Sequence, residues 1–307
     1  MIFAGFTHRP AEELAQRLLA RVGGGLAHVF YSDSGSTSVE VALKMALGFH
    51  RNRGDKRTRI VALEHAYHGD TIGTMSTGAR GVFNAPYAPL LFDVARLPFP
   101  AQGCEARTLE ALEDFCRAGD VAALIVEPLL LGAGGMLTYA PQVLRDMQAI
   151  CRRHGALLIA DEVMTGFGRT GSFTACEQAG VAPDIMCLAK GITGGSMPLA
   201  VTLSTQEIFD AHYSSDRAKT FFHSSSYTAN PIACAAALGV FDAFEQEGLL
   251  QKAERQGQLI MERMKSIKSK GKGMPIGDVR GLGAMCAFEL VTQHGGNDPD
   301  AGAAKAL

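Results

Sequence analysis

Apolar positions in this chain keep two alternating rhythms. Residues 10–22 place Ala11, Leu14, Ala15, Leu18, Leu19 and Val22 at helical spacing, with Pro10 suited to a first turn. Gly23-Gly24-Gly25 then stops the helix. Residues 28–31 read as a short strand, and residues 37–49 return to the helical period through Val39, Ala42, Leu43 and Ala46. The same exchange continues down the chain. Strands are predicted over 58–63, 122–126, 156–160, 185–188 and 200–203. Helices are predicted around Leu109, Leu112 and Phe115, from Pro141 to Cys151, from Pro231 to Phe244, and over 249–267. Residues 78–103 are proline-rich and show little periodicity, so they read as a meandering surface segment.

Strands alternating with helices predict an α/β fold: a mostly parallel sheet covered by helices on both faces. Residues 1–247 form the large domain on this reading. Residues 248–307 open a smaller C-terminal α/β domain, through a basic, glycine-rich linker at 268–273, Gly281-Leu282-Gly283 and an apolar strand over 284–291. A loose stretch at 294–304 leads to an abrupt stop at Leu307, so this second domain is expected to be incomplete.

At 307 residues the chain can bury a large core. Lys plus Arg is 29 against 31 for Asp plus Glu, and a net charge of −2 argues against nucleic acid or an acidic membrane as partner. The seven cysteines form no CxxC pair, and Cys151, Cys187 and Cys234 sit in apolar stretches as small buried hydrophobes. That usage suits a reducing cytoplasm. No apolar run reaches membrane-spanning length, and residues 1–8 lack a signal-peptide pattern.

Two strands end on chemistry. The run 156–160 closes on Asp161-Glu162, and the run 185–188 leads to Lys190 and then to glycines that turn the chain sharply. In a parallel sheet both ends fall on the edge where open α/β sheets bind ligands. A carboxylate and a poorly solvated amine on one edge are what a pyridoxal phosphate enzyme requires. The lysine forms the Schiff base and the acid keeps the pyridine nitrogen protonated. Ser34-Gly35-Ser36, between a strand and a helix, offers backbone N–H groups to a phosphate. Tyr67 suits an aromatic plate against a planar ring. His65 and His68 are three residues apart, but a loop setting and the lack of a third ligand argue against a metal.

Taken in order, Ser34-Gly35-Ser36, Tyr67-His68-Gly69-Asp70, Glu127-Pro128, Asp161-Glu162, Gly166-Phe167-Gly168-Arg169-Thr170-Gly171, Lys190-Gly191 and Asn230-Pro231 resemble the class III (ω-) aminotransferases. The resemblance covers nearly the whole chain and implies the type I pyridoxal-phosphate fold. It implies Lys190, Asp161 and Tyr67 as catalytic residues, with Lys190 carrying the cofactor and moving the proton. Gly35, Ser36, Ser225 and Ser226 would hold the phosphate, the last two from a neighbouring subunit of a homodimer with shared sites. Ser224, Tyr67 and Arg169 would meet substrate, with Glu127 beside them; a structural ion pair is the alternative for Glu127 and Arg169. Residues 38–46 and 222–231 look most like the branch that aminates 8-amino-7-oxononanoate with S-adenosylmethionine in biotin synthesis. Residues 277–290 look more like 4-aminobutyrate transaminases.

Family members carry more chain before the Ser-Gly-Ser turn, where only 33 residues stand here, and this chain has no tryptophan. They also continue beyond the position of Leu307 and supply a carboxylate-binding arginine from there. The expectation is a fragment or truncated form that binds pyridoxal phosphate better than it turns over. Three other readings compete: transamination of 4-aminobutyrate or another ω-amino acid, decarboxylation or an aminomutase shift on the same cofactor, and a catalytically impaired fold remnant.

Overall fold

The computed structural model describes residues 5–270 and 276–290. In chain order the elements begin with α1 (Arg9–Val22), β1 (Leu26–Ser32), α2 (Gly35–Asn52), β2 (Arg59–Leu63), α3 (Ile72–Thr77), β3 (Ala95–Leu97), α4 (Glu105–Arg117) and β4 (Val121–Val126). A small pair, β5 (Leu130–Leu131) and β6 (Leu137–Thr138), precedes α5 (Pro141–His154), β7 (Leu157–Asp161), α6 (Ala175–Ala179), β8 (Ile185–Leu188), β9 (Ala200–Thr205) and α7 (Gln206–His212). Two long helices, α8 (Pro231–Glu247) and α9 (Leu249–Lys270), lead to the hairpin β10 (Ile276–Leu282) and β11 (Met285–Leu290).

The main sheet has seven strands in the order β1-β9-β8-β7-β4-β2-β3. β2, β3, β4, β7 and β8 pair in parallel, whereas β9 runs antiparallel to both β8 and β1. Every residue of β4, β7 and β8 is buried, as expected of strands covered on both faces. Their side chains alternate between two layers. Leu124, Val126 and Leu158 pack with Leu112, Leu144 and Met147 of α4 and α5. Ile125, Ile159, Ile185 and Cys187 pack with Val39, Ala42, Leu43 and Ala46 of α2. Farther along the first face, Ala160, Met186 and Leu188 meet α1 and α8. Cys151, Cys187 and Cys234 are buried in these layers.

Local chemistry sets the helix ends that matter for the site. Ser34 caps α2 through Thr37 N, and Thr37 caps back, a reciprocal box at the helix start. Pro141 opens α5 and Gly155 closes it in the left-handed region. Asn230 caps α8 ahead of Pro231.

The structure departs from the predicted elements in identifiable places. The stretch 78–103 contains a short 3-10 turn, Ala85–Leu90, and the edge strand β3. Three residues with proline on the far side carry too little pattern for a strand to be read. α3, α6 and α7 are similarly short and were not anticipated. Near the C-terminus the single expected strand is a hairpin, which is not hydrogen-bonded to the main sheet. The expected linker at 268–273 runs partly outside the described residues, and the stretch at 294–304 lies wholly outside them. Among the described residues no helix is long and apolar enough to cross a membrane.

Because Leu124 is fully buried at the centre of this sandwich, Leu124→Ala is expected to lower unfolding free energy by about 2–5 kcal/mol in denaturant titration. A loss below about 1 kcal/mol would contradict the two-faced burial of β4.

Candidate active site

The carboxyl ends of β7 and β8 and the amino end of α2 meet at a cavity of about 640 Å³. Asp33 to Ser36, Tyr67 to Gly69, Glu127, Gly132, Ala133, Asp161, Val163, Met164 and Lys190 are among the residues that line it.

Asp161 is the last residue of β7 and is 4% exposed. Its Oδ2 accepts from Nδ1 of His68 at 2.7 Å, and Oδ1 accepts from the Val163 amide at 3.1 Å. An ionised carboxylate only accepts, so the imidazole hydrogen belongs on Nδ1. His68 Nε2 is buried without a hydrogen-bond partner among the described residues. The sequence sets His68 in the Tyr67-His68-Gly69-Asp70 motif and argues against a metal there, but assigns it no role; its adjacency to Tyr67 at a strand end was the available signal.

Lys190 follows β8 and starts a 3-10 turn with a left-handed backbone, φ 47°. Gly191 behind it leaves no room for a side chain, since a Cβ there would stand 2.6 Å from Cβ of Phe167. The amine is open to the cavity, yet the enclosing walls lower its pKa by desolvation, an effect the negative charge of Asp161 opposes.

Glu127 supports the site from beneath. It is 3% exposed, and its two carboxylate oxygens accept from the amides of Tyr67 at 3.0 Å and Gly132 at 2.9 Å. Burial pushes its pKa up to about 7. Tyr67, 40% exposed, donates its hydroxyl to Asp70 Oδ2 at 2.8 Å. Desolvation and then the Asp70 carboxylate raise the phenol to about 12, which keeps it a donor at neutral pH. Glu162, next to Asp161 in the sequence, is fully buried and turned away: it accepts from Thr165 and from the amides of Ala175 and Cys176 at the start of α6.

Also on the cavity wall, Ser34 caps α2, and Gly35 and Ser36 open its first turn. Ser36 Oγ accepts from the Asp70 amide at 3.2 Å. Gly69 closes against it with φ 129°, and a Cβ at Gly69 would stand 2.2 Å from Ser36 Oγ. Gly35 is also tight: a Cβ there would stand 2.7 Å from Cγ1 of Val163. A helix N-terminus with close glycines is suited to holding an anion.

Other anticipated residues lie elsewhere. Arg169 is outside the cavity lining, and its guanidinium donates to the carbonyls of Val163 at 2.9 Å and Gly166 at 3.2 Å. Ser224, Ser225 and Ser226 belong to the 221–230 loop and do not line this chain's own cavity. Lys44 of α2 ties that loop down by donating to the Phe222 carbonyl at 2.6 Å.

Residues 1–305 match the family model described as aminotransferase class-III. The chain is 45% identical over 305 residues to the adenosylmethionine-8-amino-7-oxononanoate aminotransferase of Synechococcus elongatus, covering 96% of this chain and 70% of that relative. It is 45% identical over 309 residues to the protein of the same name from Nitratidesulfovibrio vulgaris, covering 94% of this chain and 56% of that relative. Among solved structures, an amine transaminase from an uncultivated Pseudomonas species in its PLP-bound form superposes with a TM-score of 0.88 at 37% identity, covering 95% of this chain and 69% of that one. With an acid, an amine and an anion cradle on one sheet edge, and with these likenesses, the chain belongs to the class III aminotransferases, whose cofactor is pyridoxal 5'-phosphate.

Proposed function

We propose that the protein transfers an amino group from S-adenosylmethionine to 8-amino-7-oxononanoate, giving 7,8-diaminononanoate in biotin synthesis. The observation carrying this reading is 45% identity to two relatives named for that donor and acceptor. Transamination of 4-aminobutyrate or another ω-amino acid is the second reading, supported by the likeness to an amine transaminase structure at 37% identity.

The residues present fit the cofactor. Asp161 has both oxygens partly engaged and lines the cavity, so a lone pair remains for a ring N–H. Gly69 and Gly35 leave the close approach that a phosphate at the start of α2 needs. Once bound, the cofactor supplies an electron-poor pyridinium ring that takes up the electron pair left by a departing substrate proton. Asp161 holds the proton on the ring nitrogen, and His68 fixes the carboxylate's orientation. Lys190 would accept the proton from the substrate's amine-bearing carbon and deliver it to the carbon on the far side of that nitrogen, two bonds away. Its lowered pKa places more of the amine in the neutral, proton-accepting form than an exposed lysine would have. Tyr67 supplies an aromatic wall, and the first-turn amides of α2 with the Ser36 hydroxyl hold the phosphate.

The proposal includes a cytoplasmic homodimer. Phe222, Tyr227 and Ile232 stand out around the 221–230 loop, an apolar surface suited to a second copy. Ser225 and Ser226 would then reach the partner's phosphate site and Ser224 its substrate. Arg169 acts on the site by holding the 163–166 loop. The division into a large domain, 1–247, and a smaller unit from 248 onward is part of the same proposal.

Purified protein reconstituted with pyridoxal phosphate is expected to lose its visible absorbance band when S-adenosylmethionine is added. Retention of the band with this donor but loss with 4-aminobutyrate would select the second reading. Lys190→Ala is expected to lower amino transfer by about three orders of magnitude or more. Gly69→Ala, which places a methyl on Ser36 in a backbone region suited to glycine, is expected to weaken cofactor binding about tenfold or more in equilibrium titration. Unchanged affinity would remove Ser36 from the phosphate site. Aldehyde capture by the cofactor-free protein should accelerate with pH, because neutral Lys190 is the reactive form. Its midpoint should fall below the ordinary lysine value of 10.5. A midpoint at or above that value would contradict the desolvated amine.

A further inference from the structure

We propose that Arg280, in the C-terminal hairpin, is a positioning residue for the cavity wall at Gly132 and Ala133, and through it for substrate affinity. The inference rests on the amino-transfer reading but on neither of the two candidate substrate pairs. Arg280 reaches across the molecule: Nε donates to the carbonyls of Gly135 at 3.0 Å and Met136 at 3.2 Å, and Nη2 donates to Gly135 at 2.5 Å. Its own hairpin fixes the guanidinium from behind, through Asp278 at 2.8 Å and Glu289 at 2.7 Å. A planar head with five donors meets two carbonyls and two carboxylates at once, which a lysine ammonium does not reproduce.

The carbonyls it grips belong to a tight turn. The amides of Gly135 and Met136 both bond back to the Gly132 carbonyl, at 3.2 and 2.9 Å. Met136 is held at φ 54°, a conformation that persists in a non-glycine residue only when its surroundings impose it. The turn is confined on its other sides. The Gly132 amide is bound by Glu127, a Cβ at Gly134 would stand 2.2 Å from the His65 carbonyl, and a Cβ at Gly132 would stand 1.9 Å from Met164 Sδ. Arg280 closes the outer side. Gly132, Ala133 and Met164 face the cavity, so slack in the turn moves a wall that substrate meets.

An ion pair serving only the hairpin is the competing explanation, and the geometry distinguishes the two. Asp278 and Glu289 lie on the hairpin itself, whereas the carbonyl bonds span 144 and 145 positions of sequence. The hairpin also has a separate anchor, the Ala284 amide on the Arg169 carbonyl at 2.9 Å, which remains when Arg280 is replaced.

Hydrogen exchange on the full chain tests this without cofactor, comparing wild type, Arg280→Ala and Arg280→Lys, with β4 as internal reference. Exchange of the 132–136 amides is expected to rise about tenfold or more in Arg280→Ala while β4 is unchanged, and Arg280→Lys is expected to fall well short of wild type. In the loaded enzyme the half-reaction should show a KM raised about tenfold with kcat within about threefold. Unchanged exchange in Arg280→Ala, full protection in Arg280→Lys, or a kcat loss at constant KM would overturn the proposal. Should Arg280→Ala lose β4 protection as well, Arg280→Lys decides. A wild-type protein that transfers no amine would refute the amino-transfer reading, while the exchange result would still judge the turn.

Discussion

A carboxylate buried at the end of an interior strand needs partners that stay where they are, and the rest of this site is built around that requirement at Asp161. β7 lies in the interior of the sheet between β8 and β4, with Asp161 in register with Cys187 of β8. Lys190 comes three residues after that register point, so strand pairing sets the spacing of acid and amine before any side chain contributes. His68 completes the arrangement from the loop after β2, bonding the carboxylate at 2.7 Å with both side chains buried. In such surroundings a charge-assisted hydrogen bond is stronger than at the surface, and the loss of one partner costs the desolvation of the other.

The loops that follow the strands at this edge of the sheet hold strained residues. His65 after β2, Leu129 after β4, Phe167 after β7 and Lys190 after β8 all take positive φ without being glycine. Each such residue costs about 1–3 kcal/mol and is tolerated only where neighbours impose it. Two buried carboxylates do much of the imposing. Glu127 joins the Tyr67 loop to the Gly132 turn, and Glu162 ties the end of β7 to the start of α6. Adjacent acids in the sequence thus divide their work: Asp161 faces the cavity, while Glu162 faces the scaffold.

The parts legible in the sequence were those encoded locally. Unbroken apolar runs announced β4, β7 and β8, and residues at their ends announced Asp161 and Lys190. The Ser34-Gly35-Ser36 turn was legible because a capping box lies within four consecutive residues. What depends on distant pairing was not. His68 meets an acid 93 positions away, so nothing beside it in the chain reveals its partner. The antiparallel direction of β9 is set by tertiary packing, and β3 is too short to carry a pattern. Arg169 reads as a charge awaiting an anion, yet in the fold its donors go to two backbone carbonyls, partners that leave no trace in side-chain composition.

On the proposed reading, Asp161, held by His68, keeps the cofactor's ring nitrogen protonated. Nitrogen-15 NMR of protein loaded with pyridoxal phosphate labelled at the ring nitrogen tests it most directly. The expected result is a pyridinium shift in the wild type at neutral pH, replaced by a neutral-pyridine shift in Asp161→Ala. A neutral-pyridine shift in the wild type, or a pyridinium shift that survives the loss of Asp161, would contradict it.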